Sequence, residues 1–251
     1  MDDMPGYLWM ITLTGVTAIA STTCVVVYGG AVRAGLGRIR AGLLAGGAAT
    51  VLGGWYVASA VMAGRGWYRV LPWFPVAVIG FLTLLLALRR VPAVSRTLTA
   101  PGMSGRLELP HTFRAIEGAV FLVAMTLGQL PALFALPAGL GDIVAGIAAP
   151  LVAHRLAQGT GVRAALWFNV FGMSDLVVAM ALGALTGFRL ISTTPSGAPI
   201  SELPLALVPT AAVPLLFALH ITSMSALIKA QRRRRRPPPH LWAPHNRTDR
   251  A

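Results

Sequence analysis

Residues 203–228, LPLALVPTAAVPLLFALHITSMSALI, contain no Asp, Glu, Lys or Arg. A hydrocarbon core about 30 Å thick is crossed by roughly 20 apolar helical residues, so this stretch is long enough to span it. The same reading extends back along the chain. Residues 4–32, 41–64, 70–88 and 118–141 are equally free of charge. The 251-residue chain is 55% hydrophobic and 12% charged, about half the charged fraction of a soluble domain. The class is therefore all-α: an integral membrane bundle whose first partner is the lipid bilayer.

Seven spans are predicted, at 7–29, 41–63, 70–88, 112–133, 136–154, 164–187 and 204–228. The fifth is interrupted by Asp142 and would be kinked by Pro150. Basic residues orient the set. Arg33, Arg38 and Arg40 follow span 1; Arg89, Arg90, Arg96 and Arg106 follow span 3; Arg155 and Arg163 follow span 5. Lys229, Arg232, Arg233, Arg234, Arg235 and Arg236 follow span 7. The alternate segments hold only Arg65, Arg69 and Arg189. The positive-inside rule then puts the N-terminus outside and the C-terminus inside. Tyr7, Trp9, Trp67, Tyr68 and Trp73 fall at the outer interface, where amphipathic rings are favoured. Gly42 and Gly46 make a GxxxG pair, read as close helix packing within the chain.

Residues 1–229 form one predicted bundle, with sub-halves 1–91 and 111–228 joined by a Pro- and Gly-rich cytoplasmic loop. Residues 230–251, QRRRRRPPPHLWAPHNRTDRA, cannot bury a core and are expected to be a disordered polybasic cytoplasmic tail. Its Arg232 to Arg236 are candidates for binding anionic lipid headgroups. The net charge of +13 sits at span ends, which argues for topology and against nucleic acid. No basic segment precedes the first apolar run, so that run is expected to be a retained helix and not a signal peptide. Arg-rich, Lys-poor composition points to a GC-rich bacterial genome, and hence to the bacterial cytoplasmic membrane. Cys24 stands alone, which rules out an intrachain disulfide. No GxxxxGK[ST], HExxH or CxxC occurs, so no cofactor and no metal are expected. His111 and His220 lie at different predicted depths, which disfavours a haem ligand pair.

Spans 1 to 3 carry nothing ionisable apart from Cys24 and tyrosines. Spans 4 to 7 carry Glu117, Asp142, Asp175 and His220, with Arg114 near the boundary and Asn169 and Gln129 in addition. An Asp at mid-membrane costs at least ~2.5 kcal/mol on insertion scales, and such groups face a bundle interior or water. Arg114 and Glu117 are three apart on one helix and share a face, so they are expected to pair. If the faces converge, Asp142, Asp175, Glu117, Arg114, His220, Asn169 and Gln129 make a path for protons, ions or a small solute.

Gly139-Leu140-Gly141-Asp142 resembles the GxGD motif of intramembrane aspartyl proteases. The resemblance implies that Asp142 is catalytic and that Asp175 is the second carboxylate, one protonated and one ionised around a water. The order of the two aspartates is reversed relative to that group. A short echo, Gly172-Met173-Ser174-Asp175, lies on the next span, and inverted repeats with site residues at their interface are a transporter feature. Residues 113–183, through FALPAGLGD (134–142) and LWFNVFGMSDL (166–176), resemble a family of bacterial multi-pass membrane proteins of unknown activity. The leading expectation is a translocator of protons, ions or a small solute. A non-catalytic accessory or structural subunit comes next, then a GxGD-like protease.

Overall fold

The computed structural model describes residues 4–234 and turns each charge-free run into helix over most of its length. The helices are α1 (Gly6–Arg33), α2 (Gly37–Gly64), α3 (Trp73–Leu88), α4 (Pro92–Leu98), α5 (Met103–Arg106), α6 (Arg114–Thr126), α7 (Ala132–Ala157), α8 (Val162–Gly187) and α9 (Val213–Arg234). Short 3-10 turns occupy Trp67–Arg69, Leu109–Phe113 and Ala198–Ser201, and a π-turn at Val208–Ala212 leads into α9. No strand occurs among the described residues.

Five helical stretches are long and apolar enough to cross a membrane: Gly6–Arg33, Gly37–Gly64, Ala132–Ala157, Val162–Gly187 and Val208–Arg232. α3 and α4 make a sixth if taken as one span bent by 88°. Five or six is thus the number that length and composition support, against seven expected. The shortfall lies in the predicted fourth span and, unless α3 and α4 are taken as one, in the third. α6 has 13 residues, about 20 Å at 1.5 Å per residue, because the run begins as a 3-10 turn and stops before Gly128, whose φ of 68° is left-handed. α7 goes the other way. It runs for 26 residues through both Pro137 and Pro150.

The shared core joins α1, α3 and α6 to α8 and α9 through Leu8, Ile19, Phe81, Phe121, Leu176 and Leu216. α2 is the outlier, burying only Ala41, Leu52, Ser59 and Ala63. Its glycines are not a packing seam within the chain. A Cβ at Gly42, Gly46, Gly47, Gly53 or Gly54 would meet nothing within 4 Å. α2 is anchored instead by polar contacts to the π-turn. Pro214 has no N–H to give the Thr210 carbonyl four residues back, and the Trp55 indole N–H donates to that carbonyl at 2.8 Å. Ser59 bridges the hydroxyls of Thr210 at 2.5 Å and Tyr68 at 3.0 Å. Tyr68 is therefore fully buried rather than an interfacial ring, while Trp67 and Trp73 stay exposed.

The helix ends sort by charge. Arg33 on α1 lies beside Arg106 near Gly29, and Arg40 and Arg96 line one cavity of about 460 Å³. At the opposite end Arg69 is paired with Glu202 at 2.9 Å. α9 stays helical to Arg234, past the predicted limit of its span at 228. Arg232 is exposed there; Arg235, Arg236 and the rest of the tail lie outside the described residues.

Candidate functional site

Close helix approach builds the site. A Cβ at Gly118 of α6 would strike the Gly139 carbonyl and the Asp142 side chain of α7, and one at Gly146 would strike Ala115. Glycine is thus required where α6 and α7 meet. The same holds between α7 and α8. The space a Cβ would fill at Gly141 is taken by the Asp175 carboxylate, and at Gly172 by the His220 ring and an Arg114 nitrogen. In each of the two echoed segments, then, an aspartate is accompanied by a glycine that admits a polar side chain from a neighbouring helix.

Arg114, the first residue of α6, is 1% exposed. Its Nε donates to Asp142 Oδ1 at 2.7 Å, and its Nη2 donates to Asp175 Oδ2. Neither aspartate has a basic neighbour along its own helix; one guanidinium from a third helix serves both. The fork of N–H donors on Arg suits this role, which a lysine point charge would not fill. The expected Arg114–Glu117 pair does not form. Glu117 is buried with both oxygens unpartnered, turned toward α1, where a Cβ at Gly15 would collide with its carboxylate. The i, i+3 spacing allowed the pair, but two carboxylates from other helices reach Arg114 instead.

A second polar group continues from the first. Arg114 Nη1 and His220 Nε2 both border Gly172, and neither has a hydrogen-bond partner. His220 Nδ1 meets Asn169 Oδ1 at 2.9 Å. Asn169 Nδ2 donates to Glu108 Oε1 at 2.8 Å and to the Ala165 carbonyl at 2.8 Å. Ser223 donates to the same Glu108 oxygen at 2.5 Å. The His111 ring stacks on His220 with centroids 3.8 Å apart and meets Phe168 edge-on. All five of these polar residues are fully buried. Glu108 and His111 precede α6, outside the candidate spans. Burial pushes Glu108 up to about 7, against the pull of Ser223 and Asn169. Burial, with the charges of His220 and Arg114, holds His111 well below the usual imidazole range.

Six of the seven residues expected to line a path therefore come together: Arg114, Glu117, Asp142, Asp175, Asn169 and His220. Gln129 does not join them. It lies in the turn after α6 and lines a separate cavity of about 670 Å³ with Trp9, Arg189 and Glu202. Between the two, a cavity of about 30 Å³, room for about one water, touches Asp142 among Phe121, Phe134 and Leu176. Glu108 and Ser223 were not anticipated, and His111 was set apart from His220 by its shallower predicted depth. The 3-10 turn Leu109–Phe113 docks against α1 and α7 instead of lying on the surface, and this carries His111 to the level of His220. The Glu108/His111 spacing of three was the available signal for Glu108.

This architecture has a family. The chain belongs to the DUF8737 family. Its model, described as a domain of unknown function, matches residues 71–228. Comparison with curated proteins and with solved structures finds no match. The DUF8737 region starts after α2 and contains every site residue from Glu108 to Ser223, while the α1–α2 hairpin precedes it.

Proposed function

We propose that this chain is a multi-pass protein of the bacterial cytoplasmic membrane that passes protons, or a small cation, through the polar network of α6 to α9. The observation that carries the reading is the charge imbalance around Arg114. Asp142, Glu117 and Glu108 are buried, Asp175 is half-buried, and Arg114 is the one buried cation among the described residues. Buried carboxylates in excess of cations require protons or a bound cation for neutrality. The carboxylates that would carry such a charge flank one network: Asp142 and Asp175 on Arg114, and Glu108 linked through Asn169 to His220.

The clustering of Arg33, Arg40, Arg96 and Arg106 at one end supports the orientation with that end in the cytoplasm. With α3 and α6 both crossing despite their length, the count is seven spans, N-terminus out and C-terminus in. A reporter fused at residue 100 should be active only as a cytoplasmic reporter, and one at residue 66 only as a periplasmic one. The reverse pattern overturns the orientation.

In vesicles carrying an imposed pH gradient, wild type is expected to dissipate it, with Asp142→Asn and Asp175→Asn each reducing the rate at least tenfold while remaining inserted. Wild-type vesicles no leakier than empty ones, tested with protons, Na⁺ and K⁺, would refute translocation. A structural or accessory role is the second reading, favoured by the double pairing of Arg114, which is how a purely structural charge would be satisfied. The protease reading has less geometric support. Both carboxylates point at one guanidinium instead of facing each other across a water, as an acid–base dyad needs.

A further inference from the structure

Glu108, His111 and His220 each place a donor atom within 4.8 Å of those of the other two. We propose that they bind one divalent first-row transition ion, such as Zn²⁺ or Fe²⁺. The three come from different parts of the chain: Glu108 and His111 from the segment before α6, His220 from the middle of α9. All are fully buried. Glu108 Oε2, both His111 nitrogens and His220 Nε2 have no hydrogen-bond partner. Three of these can offer a lone pair, since only one His111 nitrogen does so in the neutral ring; orphaned buried acceptors are costly, and a Lewis-acidic ion uses all three.

The surrounding bonds prepare the ligands. Asn169 Nδ2 is committed to two carbonyl-type acceptors, Glu108 Oε1 and the Ala165 carbonyl, so its Oδ1 is an acceptor. The His220 nitrogen facing it must then carry the hydrogen, which leaves Nε2 with a bare lone pair. Ser223 and Asn169 both donate to Glu108 Oε1, leaving Oε2 open. This is the support that metal-binding histidines and carboxylates normally receive from their neighbours. Two imidazoles and a carboxylate, with no sulfur, suit Zn²⁺ or Fe²⁺ better than Ca²⁺ or Mg²⁺. Ligands 2.0–2.2 Å from a tetrahedral ion sit roughly 3.4 Å apart, so side-chain rotation of about an ångström closes the set. The charge also fits. Arg114 is already taken up by Asp142 and Asp175, which leaves Glu108 at the site without a cation. The site shares Glu108 and His220 with the proposed path, but its test reads metal content and does not depend on flux.

The test uses the full chain, without a histidine tag, stripped with chelator and exchanged into Zn²⁺ at low micromolar concentration. The expected result is about one tightly held Zn²⁺ per chain by elemental analysis, with X-ray absorption reporting two imidazoles and oxygen. Glu108→Gln, His111→Asn and His220→Asn should each abolish stoichiometric binding. Ser223→Ala, which leaves all three ligands in place, should weaken it about 10- to 100-fold. His240→Asn with His245→Asn, in the tail, should leave it unchanged. Folded wild type that retains no stoichiometric Zn²⁺ or Fe²⁺ overturns the proposal, even if the ligand variants fail to fold. So does binding that survives His111→Asn or is lost with the two tail histidines.

Discussion

α2 and the α7–α8 pair use the same residue for opposite ends. Both contain several glycines. In α2 those glycines face open space. In α7 and α8 they are occupied by the side chains of other helices: Asp175 at Gly141, His220 and Arg114 at Gly172. The difference teaches that a GxxxG spacing says nothing until a partner is named. Where a polar side chain has to cross a helix surface to reach its partner, glycine is obligatory; where lipid or nothing faces the helix, it is replaceable. The two regions also differ in charge. α2 buries one polar side chain, Ser59, whereas α6 to α9 enclose the whole Arg114 network.

The largest effect should come from Arg114→Met. It leaves Asp142 buried and Asp175 half-buried without a cation, and breaking a buried pair in this way costs about 3–5 kcal/mol. Denaturation in detergent should show the loss, and a variant as stable as wild type would mean that the three side chains are not jointly buried. Next is Gly172→Ala, whose Cβ would displace His220 and Arg114. Overpacking of this kind costs about 1–3 kcal/mol, visible in the same melt. Trp55→Phe keeps the ring stacked on Phe81 but removes the donor to the Thr210 carbonyl. It should cost about 1 kcal/mol, the worth of one hydrogen bond. Smallest, and of opposite sign, is Gly46→Ala. With nothing within 4 Å of the new Cβ and no left-handed backbone, it should stabilise α2 by about 0.5–1 kcal/mol. Destabilisation there would reveal a partner helix on the α2 face and erase the contrast with α7.

Much of this was legible in the sequence, for physical reasons that also explain what was not. Charge-free runs fix where helices can lie in lipid, and all of them are helical. The same cost singles out Arg114, Asp142, Asp175, Glu117, Asn169 and His220, which the fold brings together. The pairing within that set was not legible, because i, i+3 spacing favours Arg114–Glu117 while the actual partners come from other helices. Glu108 was missed because Pro92, Pro101, Gly102 and Pro110 around it read as a loop, and His111 was placed at a span boundary, too shallow to meet His220; only docking of the 3-10 turn brings the three together. Tyr68 was misplaced for a related reason: a ring at a span end looks interfacial until Ser59 accounts for its hydroxyl. The short α6 shows that a charge-free run sets a limit on helix length and not the length itself.

The central claim is that the Arg114–Asp142–Asp175 triad is kept for function at a cost in stability. Well-packed apolar replacement of a buried ion triad is often neutral or stabilising by about 1–4 kcal/mol. The decisive measurement is therefore the triple variant R114M/D142V/D175V, compared with wild type in a detergent melt and in the vesicle pH-gradient assay. The account expects a correctly inserted protein that melts no lower than wild type and no longer dissipates the gradient. A triple variant that melts far lower than wild type, or one that still dissipates the gradient at the wild-type rate, would contradict it.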